Sequence, residues 1–269
     1  MEVNELRRAA LECLKAETPE AKCGCTANVV AALAGGRMAI EPGHRLRVPL
    51  RPGRPVRPVL VPPTQVPRRR PGSVAGRIAL VHAIAHIEFN AIDLAWDAVA
   101  RFDGMPEAFY RDWARVAGEE ARHFRLLSDR LEALGAAYGD LPAHDGLWEM
   151  AMATRHDVLE RMALVPRVLE ARGLDVTPGM IERLRAVGDL ETVAALEVIL
   201  EEEVGHVAIG SRWFRYCCER RGLEPKETFR RLLRQKMRGR IKPPLHREAR
   251  CAAGFSEEEM DALEAMLDD

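Results

Sequence analysis

The sequence is poor in aromatic side chains, which make up 5% of its 269 residues. Strands draw heavily on aromatic and β-branched residues, so this scarcity argues against an extensive β-sheet. Alanine, leucine, glutamate and arginine are plentiful instead, and helices favour all four. We therefore predict an all-α protein. A chain of this length buries roughly 75% of its unfolded surface on folding, so the size of the core is no constraint.

The chain also lacks a long apolar run. No stretch offers about 18 uncharged apolar residues, and the N-terminal residues contain no apolar core of a signal peptide. We therefore expect a soluble, cytoplasmic protein without membrane contact. The six cysteines are expected to be reduced thiols. Cys23 and Cys25 have no second pair at zinc-site spacing, so neither a structural zinc nor an iron–sulfur module is expected.

Acidic residues are absent between Pro42 and Ile87, where nine arginines give a local charge of +9. The formal net charge is −1, so the rest of the chain sums to −10. Nine prolines between Pro42 and Pro71 favour an extended Pro/Arg-rich arm. The arm either binds a polyanion such as nucleic acid or lies on the acidic body of its own or a partner subunit. We favour the second interpretation, because the first aromatic residue is Phe89 and proteins that bind single-stranded nucleic acid usually use stacking rings.

Helical periodicity divides the chain into three predicted segments. They are an N-terminal helical segment with the arm (1–72), a four-helix bundle (73–222) and a C-terminal helical extension (223–269). Start and stop signals place the long helices at about residues 73–102, 106–135, 145–173 and 177–222. Short connections between most of them indicate antiparallel neighbours, as in a four-helix bundle.

Local signals also predict where individual helices bend, begin and end. Pro166 predicts a kink in the third long helix. Thr177 and Pro178 are typical of a cap and first turn, so they predict the start of the fourth helix. Ser256 with Glu259 predicts a capping box at the last helix of the chain.

Two of the long helices carry the pattern Glu-x-x-His: Glu120 with His123 on the second, and Glu203 with His206 on the fourth. Residues three apart on a helix face the same way, so each pair offers a carboxylate and an imidazole to one point. Apolar residues flank both pairs at helical spacing, which predicts buried faces. Buried carboxylates and imidazoles need partners, and a metal ion supplies them.

The first long helix contributes Glu88, and the third offers Glu160 or Glu170. The separation of Glu170 from Glu203 nearly equals that of Glu88 from Glu120, whereas Glu160 lies too far upstream to repeat it. Spacing therefore favours Glu170. The predicted metal ligands are Glu88, Glu120, His123, Glu170, Glu203 and His206. Four carboxylates and two imidazoles on two similar helix pairs form the ligand set of a di-iron carboxylate bundle.

Other polar residues of these helices are weaker candidates. His82, His86 and Asp93 share a stripe of the first helix displaced from the predicted ligand, so we expect a supporting or structural role. Glu119 and Glu202 point about 100° away from their neighbouring ligands and are expected to be surface or interhelical charges. The spacing singles out none of the three tyrosines for electron transfer: Tyr110, Tyr138 and Tyr216.

Several segments resemble a bacterial ferritin-like family of unassigned function. They are HAIAHIEFNAIDLAWDA (82–98), FYRDWARVAGEEARHF (109–124), YGDLPAHDGLWEMA (138–151), VPRVLEARGLDVTP (165–178) and HVAIGSRWF (206–214). The resemblance covers about residues 58–255. More distantly, the helix-pair pattern is similar to ferritin-like hydroxylases that modify isopentenylated adenosine in tRNA. The resemblance implies a di-iron fold and assigns ligand roles to the six residues above, but it supplies no substrate.

Two functions therefore stay open. In the first, two iron ions, or manganese with iron, activate O2 to oxidise or hydroxylate a small molecule or RNA nucleoside, with electrons from a separate donor. In the second, the protein binds iron for buffering or detoxification, and oxidation of the metal is itself the purpose. The segments outside the bundle favour the first, because they suggest a lid or a partner surface. A buried polar network without metal is a third alternative. A homodimer is one candidate assembly, and the sequence does not determine the oligomeric state.

Overall fold

The computed structural model describes residues 5–41, 43, 45–67, 70–237 and 241–267. These residues form helices, and their β-pairing is confined to isolated bridges, which confirms the prediction of an all-α protein. Four residues of the Pro/Arg-rich arm lie outside this part of the chain: Pro42, His44, Arg68 and Arg69. Packing divides the chain into two compact units, Met1–Glu149 and Met150–Asp269. The three segments inferred from the sequence stay a prediction.

The first unit is built on a helix hairpin against which two shorter helices pack. Its helices are α1 (Leu6–Lys15), α2 (Pro19–Ala34), α3 (Val74–Arg101) and α4 (Glu107–Ala133). The short connection between α3 and α4 makes them antiparallel. Ser73 caps α3 by accepting a hydrogen bond from the Gly76 amide at 3.1 Å. The first two long helices expected from the sequence are therefore confirmed, and the predicted N-terminal helical segment consists of two helices.

α3 is the most apolar of these helices. Among the helices of the described residues, α3 alone is long and apolar enough to cross a membrane by length and composition. However, 89% of its most apolar window is buried inside the protein. Contacts with α1 and α4 explain the apolar composition, because a helix surrounded by other helices is apolar on most of its faces. A cytoplasmic location stays a prediction.

The described part of the Pro/Arg-rich arm lies along the first unit. Arg54 Nη1 donates a hydrogen bond to Asp145 Oδ1 at 2.5 Å, and its Nε is 4.0 Å from Asp93 Oδ2. Farther along, the Val61 amide donates to the Ala143 carbonyl at 2.8 Å. These contacts agree with the interpretation that the arm lies on the body of its own subunit.

A disulfide joins Cys13 on α1 to Cys25 on α2. The prediction that all cysteines are reduced is therefore wrong for this pair. The helices α1 and α2 fold back on each other and bring the two Cα atoms to 5.4 Å, a distance that a disulfide spans. Sequence spacing could not show this approach, because it depends on the hairpin. The free cysteines of the described chain are Cys23, Cys217, Cys218 and Cys251.

The second unit is a succession of helices that starts within α5 (Gly146–Ala153). The others are α6 (Val158–Leu164), a π-helix (Val165–Glu170), α7 (Ala171–Ala186), α8 (Leu190–Arg220), α9 (Pro225–Lys236), α10 (Arg247–Ala252) and α11 (Glu257–Ala265). Asp189 caps α8 by accepting from the Thr192 amide. Ser256 and Glu259 form the expected capping box at α11. The predicted helical character of the C-terminal extension and its last helix are thus confirmed.

The expected third helix, residues 145–173, is wrong as a continuous element. Asp157 interrupts it, because its carboxylate caps a new helix by accepting from the Leu159 amide at 2.8 Å. The buried Arg161 fixes the interruption by donating to Thr154 Oγ1 at 2.9 Å and to the Ala151 carbonyl at 2.6 Å. A buried guanidinium with these partners stabilises the break more than helix propensity opposes it.

The expected helix start at Thr177 and Pro178 is also wrong, because Pro178 lies inside α7. A proline there cannot donate to the carbonyl of Leu174. Buried residues nevertheless recur at helical spacing through this region and keep the helix continuous: Leu174, Thr177, Ile181 and Leu184. Burial of this stripe outweighs the local cap signal, as tertiary packing often does.

A fully buried ion pair joins α2 to α3 in the first unit. Lys22 Nζ contacts Asp93 Oδ1, and both side chains are 0% exposed. Burial raises the pKa of Asp93 to about 6, although Lys22 opposes the rise. Asp93 therefore has a structural role, one of the two roles expected from the sequence.

Replacing Lys22 by methionine is expected to lower the free energy of unfolding by about 3–5 kcal/mol, because it leaves a buried carboxylate without its cation. The double variant Lys22→Met with Asp93→Leu should recover most of this loss. Urea unfolding followed by circular dichroism measures both. Lys15→Met is the control, since Lys15 pairs with Glu12 at the surface and should contribute less than about 1 kcal/mol. Equal losses in the Lys15 and Lys22 variants would contradict the prediction.

Candidate metal centre

Three side chains of types that bind metals converge inside the first unit, one from α3 and two from α4. One donor atom each of Glu88, Glu120 and His123 lies within 4.8 Å of the others. His123 Nδ1 is 3.3 Å from Glu88 Oε2 and 3.4 Å from Glu120 Oε2. All three side chains are buried. The group can hold a metal ion, with two oxygens and one nitrogen as ligands.

The antiparallel pairing of α3 and α4 brings these three side chains together. Glu88 lies as many positions before Arg101, the last residue of α3, as Glu120 lies after Glu107, the first residue of α4. Equal distances from the connection bring the two carboxylates to the same level of an antiparallel pair. His123 follows Glu120 by one helical turn and therefore lies on the same face. The sequence spacing and the hairpin together produce the cluster.

The cluster attracts positive charge. Burial, followed by the nearby Glu120 carboxylate, raises the pKa of Glu88 well above its ordinary value. Burial lowers the pKa of His123, but hydrogen bonds and charges from Glu120 and Glu88 outweigh this effect and raise it to about 11. Two carboxylates with little surrounding water favour a cation between them. A proton on His123 meets this requirement, and so does a divalent ion held by all three groups.

The second unit contains an equivalent pair on α8. His206 Nδ1 is 3.1 Å from Glu203 Oε2, and both side chains are buried. Glu170 is also buried, at the C-terminal end of the π-helix. Just beyond it, a Cβ atom on Gly173 would lie 3.7 Å from Glu203 Cγ. The chain that follows Glu170 therefore passes close to Glu203.

The π-helix is an irregularity in the helix that carries Glu170. The Ala171 amide donates to the carbonyl of Pro166, five residues back instead of four. Single π-turns inside α-helices occur frequently at functional sites. Pro166 packs directly on α8, where a Cβ atom on Gly210 would lie 2.4 Å from the Cβ of the proline. Glycine at position 210 therefore makes room for the π-helix.

A family model described as a protein of unknown function (DUF455) matches residues 15–261. The chain belongs to this family. An uncharacterized protein from Haemophilus influenzae is 48% identical over 214 residues, which cover 77% of this chain and 74% of that protein. No solved structure matches the chain. DUF455 membership names no substrate, so function is argued from the site itself.

In this DUF455 chain, burial separates the two alternatives for the third glutamate. The Glu160 carboxylate is partly exposed and lies 3.4 Å from His156 Nε2 and 3.7 Å from Lys236 Nζ. Glu170 is buried, in agreement with the choice made from spacing. The ligand roles of Glu170 and of the other five residues stay predictions.

Two histidines precede Glu88 on α3, and neither belongs to the cluster. Both form hydrogen bonds with the segment that follows α4. His86 is hydrogen-bonded through Nδ1 to the Tyr138 hydroxyl at 2.9 Å and through Nε2 to the His144 carbonyl at 3.2 Å. Burial lowers the pKa of His86 to about 3, so this imidazole is neutral. The Gly139 amide donates to His82 Nε2 at 3.0 Å. These contacts give His82 and His86 a structural role.

Sequence reasoning did not single out Tyr138, which lies next to the residues flanking the cluster. Its ring centroid is 5.4 Å from that of Phe89 and 5.0 Å from that of Phe124. These phenylalanines directly follow Glu88 and His123 in the sequence. Tyr138 lies in an irregular connection, where helical periodicity gives no information about the direction of a side chain.

The contact between Gly210 and Pro166 predicts that an added methyl group at position 210 lowers stability. Gly210→Ala should lower the free energy of unfolding by about 1–3 kcal/mol, because the added methyl overlaps a rigid ring. Gly205 on the same helix is the control, since a Cβ atom there meets nothing within 4 Å. Gly205→Ala should stabilise α8 by about 0.5–1 kcal/mol. Urea unfolding of both variants provides the comparison, and a neutral Gly210→Ala change would contradict the packing described.

Proposed function

We propose that this protein is an oxygen-activating di-metal enzyme whose ions are two irons, or manganese with iron. The observation that carries the proposal is the buried meeting of Glu88, Glu120 and His123, with donor atoms within 4.8 Å of one another. Carboxylate oxygens and imidazole nitrogens together suit iron and manganese. Glu203 and His206 repeat the pair on α8, which supports a second ion with similar ligands.

We also propose a ferritin-like four-helix bundle made from two helix hairpins, α3 with α4 and α7 with α8. The support is the repeated order of ligands, since each hairpin region presents a glutamate first and then Glu-x-x-His. The resemblance noted in the sequence points the same way. In this arrangement six side chains bind two ions, and the negative charge of the glutamates offsets the positive charge of both ions.

The chain's own residues bind the ions and keep them dry. Glu88, Glu120, Glu170 and Glu203 supply oxygen ligands, while the Nδ1 atoms of His123 and His206 supply nitrogen. When bound, a pair of reduced ions provides electrons and open coordination positions for O2. The rings of Phe89 and Phe124 are buried, and their centroids are 5.1 Å apart. They exclude water from the ligands that precede them in the sequence. Exclusion of water strengthens the electrostatic interactions within such a site.

The substrate we propose is an organic molecule, of which an RNA nucleoside is the leading example, and the electrons come from a separate donor. The similarity of the helix-pair pattern to tRNA hydroxylases supports the nucleoside. The reaction then inserts oxygen into, or removes hydrogen from, a C–H bond of that substrate. Iron buffering differs from this reaction because it would end once the bound metal is oxidised.

Metal content tests the first step. Protein purified from iron-supplemented cells is expected to contain about two transition-metal ions per chain, as a di-iron bundle does. Glu120→Ala and Glu203→Ala should each lose most of this metal, because each removes a buried carboxylate ligand. Elemental analysis by plasma mass spectrometry gives the amounts.

The neighbouring glutamates provide matched controls for this measurement. Glu119→Ala and Glu202→Ala remove the same charge one position away, where side chains point about 100° from the ligands, and should keep the metal. Near-zero metal in the wild type, together with unchanged stability of Glu120→Ala and Glu203→Ala, would favour a polar network without metal and overturn the proposal.

Oxygen uptake tests the reaction class. Iron-loaded protein with a chemical reductant is expected to consume O2 continuously when cell extract supplies a substrate, and mass spectrometry should show a product that has gained oxygen or lost hydrogen. Glu120→Ala should abolish both signals. A single burst of uptake equal to the oxidation of bound iron, with no new product, would instead assign the protein to iron binding.

A further inference from the structure

A cavity of about 130 Å³ lies within the second unit, beside the π-helix. Engineered cavities of about 150 Å³ hold one benzene molecule, so this space suits a single small ligand. Its described lining includes four cationic side chains and one acidic side chain: Arg167, Arg172, Lys242, Arg250 and Asp175. We propose that this cavity binds a small organic anion, a phosphate or carboxylate group with a short apolar chain.

Arg167 is the deepest of these cations, with its side chain 2% exposed. Its guanidinium carbon lies 4.1–4.7 Å from the ring centroids of Phe214, Phe229 and Phe255. Nη2 donates to Glu259 Oε1 at 2.6 Å, but Nε and Nη1 have no hydrogen-bond partner among the described residues. Aromatic rings stabilise a cation, yet buried N–H groups still favour an acceptor. Arg167 lines the cavity, and we infer that an anion bound there is this acceptor.

Two of the other cations are held in place, and the set as a whole has an excess of positive charge. Arg250 donates to both Asp175 oxygens, at 2.8 and 2.7 Å, and so neutralises the acidic group of the lining. Arg172 donates to three successive backbone carbonyls, those of Lys242, Pro243 and Pro244. Four cations therefore face two carboxylates, Asp175 and Glu259. This balance suits a ligand with one or two negative charges.

Part of the lining belongs to a basic stretch of the sequence. Residues 228–247 contain eight lysines and arginines and no acidic residue. Arg238 and Arg240 of this stretch lie outside the described residues, and Lys242 lines the cavity. Arg230, Lys236 and Arg247 form ion pairs with acidic side chains, so the positive charge at the cavity comes from its own lining.

The remaining lining is aliphatic, which favours an organic anion over a free one. It includes Leu169, Met237, Ile241, Leu245 and Leu263. Each buried CH2 group contributes about 0.8 kcal/mol, or roughly a fourfold gain in affinity. A ligand whose chain contacts these residues therefore binds more tightly than inorganic phosphate, which offers only the charge.

Calorimetric titration of the full-length protein with inorganic phosphate, butyl phosphate and butanoate, at constant ionic strength, tests the proposal. At least one of the two organic anions should bind, and butyl phosphate should bind at least tenfold more tightly than inorganic phosphate. Lys242→Gln and Arg172→Gln should each weaken binding about tenfold, because each removes a positive charge from the lining. This readout does not depend on bound metal, so it is independent of the proposed function.

Arg234→Gln is the matched control, since Arg234 is exposed on α9, outside the cavity, and loses the same charge. Its affinity should stay within about twofold of the wild type, the scale of general screening effects. Equal weakening by Arg234→Gln and Lys242→Gln, absence of binding at millimolar ligand, or equal affinities for inorganic and butyl phosphate would each overturn the proposal. Binding of an RNA oligonucleotide that butyl phosphate does not displace would also overturn it, by assigning the cations to a polyanion surface.

Discussion

Carboxylates buried beside an imidazole require a positive charge, and this constraint organises the first unit. Glu88 and Glu120 face His123 in a part of the protein that water does not reach, and the histidine pKa of about 11 expresses how strongly they attract a cation. Without such a charge, one of the two acids would have to bind a proton to avoid repulsion between α3 and α4. A metal ion satisfies the same constraint and adds chemistry to it, which is why we place function here.

The helix hairpins determine which of these side chains come together. Glu88 and Glu120 are equally far from the turn between their helices, so closing the hairpin is sufficient to bring them together. The second unit reaches its own glutamate and histidine pair by the same helical spacing, but it adds a π-helix before Glu170 and requires a glycine at position 210 to accommodate it. The two halves are therefore similar in the order of their predicted ligands and different in local structure.

Local chemistry made much of this predictable. Caps at Ser73 and Ser256 and the i, i+3 spacing of Glu-x-x-His depend on residues a few positions apart, so the sequence reveals them directly. The disulfide, the helical environment of Pro178 and the π-helix depend on what packs against each segment, and no local signal reports it. The choice of Glu170 over Glu160 used both kinds of information. It was made from spacing along the sequence, but that spacing reflects a similarity between two helix pairs far apart in the chain.

The π-helix places Arg167 and Glu170 on one short stretch of backbone whose hydrogen bonds skip one residue further than usual. Returning that stretch to ordinary α-helical pairing would swing everything on one side of it by about 100°. The aromatic enclosure of Arg167 and its bond to Glu259 oppose such a rotation. The anchored guanidinium thus limits the rotation of the backbone that carries a carboxylate three residues away.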